Sequence, residues 1–267
     1  MPTTPTPYLL DNAADQATDR LQALATMFDD HTRRHLLARG LNRGWHCLEI
    51  GAGNGSVAQW LGERVGSEGR VIATDLDPRH LEARTDRTFE ILRHDIVRDP
   101  LPDAAFDLIH VRLVLVHLPE WEQVINKLVA ALKPGGWLVD EEYDSDSMRP
   151  DPVMSEGETL RPTYDALARL MTDHGFDRRF GRRLYRRLRA AGLTDVGAEG
   201  RVEMLHRGNA GTALVRANWT QLRDQMVDRA YVTGADVERD LAALDDADFM
   251  MPSSVLWTAW GQRASTA

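Results

Sequence analysis

The sequence predicts an α/β fold with a doubly wound, mainly parallel seven-stranded sheet and an added helical cap. Strand and helix patterns alternate from residue 45 onwards, a glycine-rich turn joins the first strand to its helix, and an acidic residue ends the second strand. Alternation of this kind is typical of parallel sheets with helices on both faces. A chain of 267 residues is long enough for one such domain with an addition.

The elements of the first half follow from periodicity and from residues that begin or end helices. Apolar residues recur at near-helical spacing between residues 12 and 39, and Gly40 then favours the end of that helix. Asp77 and Pro78 are typical of a helix start, and residues 133–136 predict a turn. The expected strands and the helices between them are Trp45–Ile50, Ser56–Val65 (helix), Arg70–Asp75, Phe89–Arg93, Phe106–Val111, Glu120–Leu132 (helix) and Trp137–Glu142.

The second half is less regular and adds two expected strands, Val196–Leu205 and Val255–Gln262. Helices are expected over Glu156–His174, Gly181–Ala191, Thr212–Arg229 and Ala235–Leu244. This pattern divides the chain into an N-terminal arm and helix that act as a lid (1–40), a cofactor-binding core (41–145), a helical insertion (146–180), and a last part that completes the sheet (181–267). A cap insertion lies at about 207–246 within that last part.

Composition and charge limit the kinds of partner. The net charge of −9 argues against a protein that binds nucleic acid or anionic membranes, because such surfaces need an excess of Lys and Arg. No run of about 18 apolar residues is present, so we expect no membrane span, and the N-terminal sequence does not resemble a signal peptide. A single cysteine excludes internal disulfides and cysteine-based zinc sites, and we expect a cytoplasmic location.

One basic stretch, DRRFGRRLYRRLRAAG, could by itself suggest nucleic acid as a partner. Phe180, Leu184 and Leu188 repeat every four residues within it and give one apolar stripe. We therefore interpret it as an amphipathic helix that lies on the sheet with its arginines outward.

The glycine-rich turn lies in CLEIGAGNGSVAQWL, where Gly51, Gly53 and Gly55 follow the first strand. Such a turn lets a ligand approach the backbone in front of a helix N-terminus. The dinucleotide fingerprint needs a third glycine where this chain has Ser56. Asp75 ends the next strand and can accept hydrogen bonds from two ribose hydroxyls, so a nucleoside is expected. A dinucleotide-dependent oxidoreductase remains the weaker alternative.

Four segments in order, LEIGAGNGS, VIATDLDP, RHDIVRDPLPDAAFDLI and LKPGGWLV, resemble the class I S-adenosylmethionine-dependent methyltransferases over about Trp45 to Tyr143. The resemblance implies a Rossmann-like sheet with an antiparallel last strand, S-adenosyl-L-methionine as cofactor and S-adenosyl-L-homocysteine as product. It implies that Asp75 binds the ribose, that Leu76 packs on adenine, and that Asp95 with Ile96 recognises the adenine amine. The loop toward the methionine part would consist of Glu49, Gly51, Ala52, Gly53 and Gly55.

Candidates for chemistry follow the fourth and fifth strands, because ligands bind beyond the carboxyl ends of parallel strands. His117 is the first choice for a general base, with Tyr143 and His110 as further catalytic candidates. Arg112 could pair with a carboxylate of the cofactor or substrate, or form a surface ion pair. The acidic run 141–146 suits magnesium in composition, but alternate strand residues point to opposite faces, so we predict no metal site there.

These observations predict methyl transfer from S-adenosylmethionine to a small-molecule acceptor at oxygen, nitrogen or carbon, as in natural product biosynthesis. The alternative within the same fold is a protein that binds the cofactor without methyl transfer, such as a cyclase or a regulator. The sequence does not identify the acceptor, and it leaves a homodimer open.

Overall fold

The computed structural model describes residues 9–147 and 160–265. Within those ranges the α-helices are α1 (Ala17–Ala38), α2 (Ser56–Val65), α3 (Arg79–Glu82), α4 (Trp121–Ala131), α5 (Arg161–Asp173), α6 (Leu184–Ala190), α7 (Ala210–Asp228) and α8 (Gly234–Ala243). The strands are β1 (His46–Ile50), β2 (Arg70–Asp75), β3 (Glu90–Arg93), β4 (Phe106–Arg112), β5 (Leu132–Asp144), β6 (Thr194–Arg201), β7 (Met204–His206), β8 (Met250–Pro252) and β9 (Val255–Gln262).

Seven strands form one sheet in the order β3-β2-β1-β4-β5-β9-β6. Neighbouring strands from β3 to β5 pair in parallel, whereas β9 pairs antiparallel with both β5 and β6. The predicted fold class is therefore confirmed, including the antiparallel last strand. Since β1 lies between β2 and β4, the carboxyl ends of these three strands meet at one edge, where ligands of doubly wound sheets bind.

The chain divides into two compact units. The core unit consists of Phe28–Asp144, Arg179–Arg201 and Val255–Ala267 and contains the seven-stranded sheet. The helical unit consists of Met1–Met27, Ser145–Arg178 and Val202–Ser254, and it contains α5, α7, α8 and the β7–β8 pair. No helix among residues 9–147 and 160–265 combines the length and apolar character that a bilayer crossing requires.

The apolar interior of the core unit packs α2 against the sheet. Val57, Leu61 and Val65 lie on one side of this helix, are at most 2% exposed, and cluster with Cys47 and Val71 from β1 and β2. Burial of one helix face in this way is the main source of stability for a helix of this length.

The amphipathic interpretation of the basic stretch is confirmed. Phe180, Leu184 and Leu188 are fully buried, while the guanidinium of Arg187 stacks over the rings of Trp121 and Phe180. Burying the apolar stripe leaves most of the arginines on the outer side of α6.

The helical unit has its own small core, in which Leu170 of α5 packs with Leu222 and Met226 of α7. Two of its helices begin with side-chain caps: the Asn209 side chain accepts from the backbone N–H of Thr212 at α7, and Thr233 and Asp236 form a capping box at α8.

Most predicted bounds differ from the structure by at most two residues, and the largest differences concern the following elements. The first helix begins at Ala17, not near residue 12, and the Asn12 side chain there accepts a hydrogen bond from Arg20. The expected strand Val196–Leu205 is divided into β6 and β7, because the chain passes to the helical unit after Arg201. The expected turn at 133–136 is an irregularity inside β5 with Gly135 at φ 79°. Residues 156–159 of another predicted helix lie outside the described residues.

Candidate functional site

The glycine loop connects β1 to α2 through left-handed backbone. Gly51, Gly53 and Gly55 have φ values of 64°, 56° and 75°, which only glycine adopts readily. At Gly51 a Cβ atom would also collide with the Val114 side chain, so the loop passes closely beside the end of β4. Helix α2 begins at Ser56 directly after the loop, which leaves its first N–H groups facing this region.

Asp75, at the end of β2, holds this loop. One carboxylate oxygen accepts from the Gly53 N–H at 3.0 Å and the other accepts from the Asp77 N–H at 3.0 Å. Burial raises the pKa of Asp75 above its usual value, although these backbone hydrogen bonds oppose the shift. Asp77 instead pairs with Arg79 at 2.7 Å just before α3, whose N-cap residue is Pro78 and not Asp77. The structure thus brings Asp75, and not Asp77, to the glycine loop.

A lysine of α4 that sequence reasoning missed fixes the loop after β3. The Lys127 ammonium donates to the carbonyls of Ile96 and Asp99 at 2.7 Å each, and to the Val97 carbonyl at 3.1 Å. Asp95 accepts from the Val97 N–H at 2.9 Å, so its carboxylate helps to close the same turn. Only the three-dimensional placement of α4 against this loop reveals the contribution of Lys127.

Leu76 is a large apolar side chain at the same edge of the sheet as Asp75. It is 54% exposed, although it follows directly on a strand whose other apolar residues are largely covered. A single exposed leucine is ordinary on a protein surface, and Leu76 bears on a ligand only through its position next to Asp75.

Two carboxylates and a histidine form a buried chain across the sheet. His110 donates from Nδ1 toward Glu49 at 2.8 Å and from Nε2 toward Glu141 at 3.1 Å, and it is completely buried. Burial alone would lower the pKa of His110, but the charges and hydrogen bonds of Glu49 and Glu141 raise it to about 9. In turn His110 is the main reason that the pKa of Glu141 falls to about 2 despite its burial. At neutral pH His110 is therefore an imidazolium that lies between the carboxylates of Glu49 and Glu141.

Residues of α1 and β9 extend this chain, which we call the buried polar chain. Glu141 accepts from the hydroxyl of Thr32 and, at 2.7 Å, from the hydroxyl of Thr258. Thr258 also lies 3.0 Å from Nε2 of His31. Sequence reasoning missed Thr32 and Thr258, because strand register and the position of α1 bring them to Glu141.

Arg112, one of the predicted cofactor ligands, is engaged within the core unit. Its guanidinium donates to Asp29 at 3.0 Å and to the Thr32 hydroxyl at 3.0 Å. Both members of the Arg112–Asp29 pair are largely buried, with side chains 13% and 10% exposed. The ion pair is thus internal, rather than the surface pair that the sequence left open.

The acidic run at the end of β5 faces both sides of the sheet. Glu141 belongs to the buried polar chain, whereas Glu142 accepts from the backbone N–H groups of Val114 and Leu115 at 3.0 and 2.6 Å. Burial and the neighbouring Asp140 raise the pKa of Glu142 well above its usual value. Asp144 pairs with Arg182. These carboxylates have separate partners and do not converge on one point.

The remaining catalytic candidates lie near the ends of β4 and β5. Tyr143 is half-buried with its ring edge-on to Phe28 at 5.9 Å, and His117 is the last residue of a short 3-10 helix, Leu115–His117, that follows β4. Both therefore lie close in sequence to the carboxyl ends of their strands, where doubly wound sheets carry their sites.

Comparisons with known proteins agree with this geometry. Residues 48–140 match a protein family described as a methyltransferase domain. Methyltransferase str2 of Strobilurus tenacellus is 33% identical over 142 residues, which are 52% of this chain and 50% of that protein. The ubiquinone/menaquinone biosynthesis C-methyltransferase UbiE of Laribacter hongkongensis is 27% identical over 172 residues, which are 53% of this chain and 70% of that protein. The chain thus spans from about half to 70% of the length of these two relatives.

Among solved structures, phosphoethanolamine N-methyltransferase 2 of Haemonchus contortus, determined with S-adenosylhomocysteine, has a TM-score of 0.56. It is 16% identical, and the match covers 98% of this chain and 61% of that one, which shows the shared fold. The sheet order and the glycine loop define a nucleoside-binding methyltransferase domain. Over residues 48–140 the chain is thus similar to S-adenosylmethionine-dependent methyltransferases, the class that the four sequence segments resemble.

The residues of the site fit the cofactor of this class, S-adenosylmethionine. The three positive-φ glycines leave backbone without side chains in front of α2, and the Asp75 carboxylate lies beside them. The exposed Leu76 adds an apolar surface next to that carboxylate. A nucleoside with an amino-acid tail and no phosphate matches this combination better than a dinucleotide does, since Ser56 replaces the third glycine of the dinucleotide fingerprint.

Proposed function

We propose that this protein transfers a methyl group from S-adenosylmethionine to a small-molecule acceptor and releases S-adenosylhomocysteine. The observation that carries the proposal is the hydrogen bond between the Asp75 carboxylate and the Gly53 N–H, which joins the ribose-binding candidate to the glycine loop. The net charge of −9 supports a small acceptor over nucleic acid. The small-molecule reaction named for the UbiE relative supports the same class of acceptor.

The bound cofactor would supply an electrophilic methyl group on a sulfonium, and the acceptor would attack it in line while the carbon–sulfur electrons return to sulfur. The part of the protein is then to orient the two reactants and to exclude water. Asp75 would accept hydrogen bonds from the ribose hydroxyls, and Leu76 would pack on the adenine ring. Asp95 and Ile96 would recognise the adenine edge. Arg112 would act on a carboxylate of the cofactor only by exchanging its present partner, Asp29.

A general base is needed only when the acceptor carries a proton at neutral pH, and it then contributes about 10²–10⁴-fold. His110 is poorly suited, because both of its ring nitrogens face carboxylates and its pKa is about 9. We assign it a positioning role: it orients Glu49, which lies in β1 just before the glycine loop. His117 remains the first candidate for the base, and Tyr143 the second.

The proposal is tested in two stages with the full chain. Calorimetry with S-adenosylmethionine and with S-adenosylhomocysteine is expected to give saturable micromolar binding; no heat with either ligand would contradict the proposal. Mass spectrometry of acceptor mixtures, such as phenols, amines and quinol precursors, should then show the gain of one methyl group. Cofactor binding and a converted acceptor without this mass gain would instead favour a cyclase.

Replacement of Asp75 by alanine is expected to weaken cofactor binding by about 1–3 kcal/mol, because the ribose hydroxyls lose a charged acceptor. Titration calorimetry measures the change directly. The matched control is Asp77→Ala, which removes a neighbouring carboxylate that pairs with Arg79. We expect the control to keep nearly the affinity of the original protein. The reverse order of the two affinities would transfer the ribose role to Asp77.

A further inference from the structure

Two imidazoles and a carboxylate converge beside the second half of α1. His31 and His35 are one helical turn apart and share a face of α1, and each is only 2% exposed. Glu199 reaches them from β6, the edge strand of the sheet. One ring nitrogen of each histidine and a Glu199 carboxylate oxygen all lie within 4.8 Å of one another, and Nε2 of His35 is 3.8 Å from Glu199.

A positively charged group already lies at the point where these three atoms meet. Nη2 of Arg34 is 3.2 Å from Nδ1 of His31 and 3.2 Å from Nε2 of His35, and it also pairs with Glu199. A guanidinium nitrogen carries two N–H donors and no acceptor, so a ring nitrogen that accepts from it presents a lone pair, as a metal ligand must. The Arg34 side chain is 55% exposed, and it can therefore move to solvent without burying its charge.

The other ring nitrogen of His31, Nε2, is fixed by a hydrogen bond, as is common for metal-ligating histidines. The Thr258 hydroxyl donates its proton to Glu141 at 2.7 Å, so it accepts from His31 Nε2, which lies 3.0 Å away. This bond places the proton of His31 on Nε2 and leaves a lone pair on Nδ1, which faces Arg34. Second partners of this kind fix the tautomer and the orientation of metal-ligating histidines. The His35 ring lies between the rings of His31 and Trp260, with centroids 4.5 and 5.2 Å away.

We propose that His31, His35 and Glu199 form a binding site for a divalent transition metal, with Zn²⁺ as the best-suited ion and Arg34 as its substitute in the metal-free protein. Two neutral imidazoles and one carboxylate are a common zinc ligand set and leave a fourth position for water. Zinc needs ligand atoms roughly 3.3 Å apart, so small side-chain rotations close the site. The ion would connect α1 to β6 and thereby stabilise the fold of the core unit.

The test uses the chelator-treated full chain without an affinity tag, titrated with Co²⁺ and then with Zn²⁺. We expect one equivalent of Co²⁺ to produce the visible absorption of a four-coordinate site, and Zn²⁺ to abolish that absorption. Zn²⁺ is also expected to raise the melting temperature, because an ion that binds only the folded state stabilises it.

Variants locate the site. Glu199→Gln and His35→Ala should each weaken binding by about tenfold or more. Arg34→Ala removes the competing charge and should keep or tighten binding. The control is His206→Ala, an exposed histidine of the helical unit, which should leave binding unchanged.

Two results would overturn the proposal. One is the absence of saturable Co²⁺ or Zn²⁺ binding in both the original protein and Arg34→Ala. The other is unchanged binding in Glu199→Gln, whose partly exposed side chain can be replaced without loss of the fold. None of these measurements depends on methyl transfer, so the metal site and the proposed function can fail separately.

Discussion

Replacement of His110 by leucine is expected to lower the free energy of unfolding by about 3–5 kcal/mol, the range measured when one partner of a buried charge pair is removed. His110 is fully buried, and both of its nitrogens face carboxylates, at 2.8 Å from Glu49 and 3.1 Å from Glu141. Leucine has a similar volume but no donor, so both carboxylates would stay buried without their charged partner. Denaturation by urea measures the difference between the two proteins.

The effect should depend on pH with a definite sign. The pKa of His110 is raised from 6.5 to about 9, so its contribution is complete below pH 6.5 and is lost as the pH rises through 9. The pKa of Glu141 is lowered from 4.5 to about 2, so its contribution is complete above pH 4.5 and is lost toward pH 2. The advantage of the original protein over His110→Leu should therefore be largest between about pH 4.5 and 6.5.

Two controls isolate the buried charges. His46→Leu changes an exposed histidine on the neighbouring strand β1 and should alter stability by less than about 0.5 kcal/mol. The double variant His110→Leu with Glu141→Gln should be more stable than additivity of the single changes predicts, because residues in one network couple. Equal losses at pH 6 and pH 9.5 would show that packing, rather than the charge of His110, carries the effect.

The sequence predicted the parts of the fold that depend on local pattern. The bounds of α2, β2 and β9 match the structure residue for residue, because their apolar periodicity is bounded by turn residues. The glycine loop and Asp75 were also predicted, since the loop is contiguous and the acid ends the next strand. Boundaries failed where tertiary structure decides them, as at Arg201, where the chain passes from β6 toward the helical unit.

The buried polar chain was outside the reach of sequence reasoning. Its members come from α1, β1, β4, β5 and β9, which are neighbours only once the strand order and register are known. Glu141 faces Arg112 on one side and Thr258 on the other, and Thr258 faces Glu199. Alternation along β5 indicated correctly that its acids divide between two faces. It could not indicate which face His31 and His35 of α1 would cover.

Asp140 lies on the face of β5 opposite to Glu141. Its replacement is expected to have the second large effect on the protein, an increase in stability. It is completely buried, and neither carboxylate oxygen has a hydrogen-bond partner within residues 9–147 and 160–265. Burial is the main cause that raises its pKa to about 8, and the charge of Glu141 adds to the shift, while His110 and Arg187 oppose it. An unpartnered buried carboxylate of this kind destabilises the folded state.

Asp140→Asn is therefore expected to stabilise the protein, and to do so increasingly as the pH rises. The folded pKa is above the unfolded value of 3.8, so the folded state holds an extra proton between about pH 4 and 8 and loses stability across that interval. The variant lacks this loss, and its advantage should grow by up to about 1.4 kcal/mol per pH unit.

The matched control is Asp107→Asn, because Asp107 is paired with Lys133 at 2.7 Å and its neutral variant should lose stability at pH 7. Urea unfolding at pH 5 and pH 8 measures the stability of both variants. If the stability advantage of Asp140→Asn over the original protein does not grow between these pH values, Asp140 is already ionised and stabilised at pH 5. The original protein would then have to hold two buried charges, Asp140 and Glu141, on opposite faces of one strand, with His110 and Arg187 as their counter-charges.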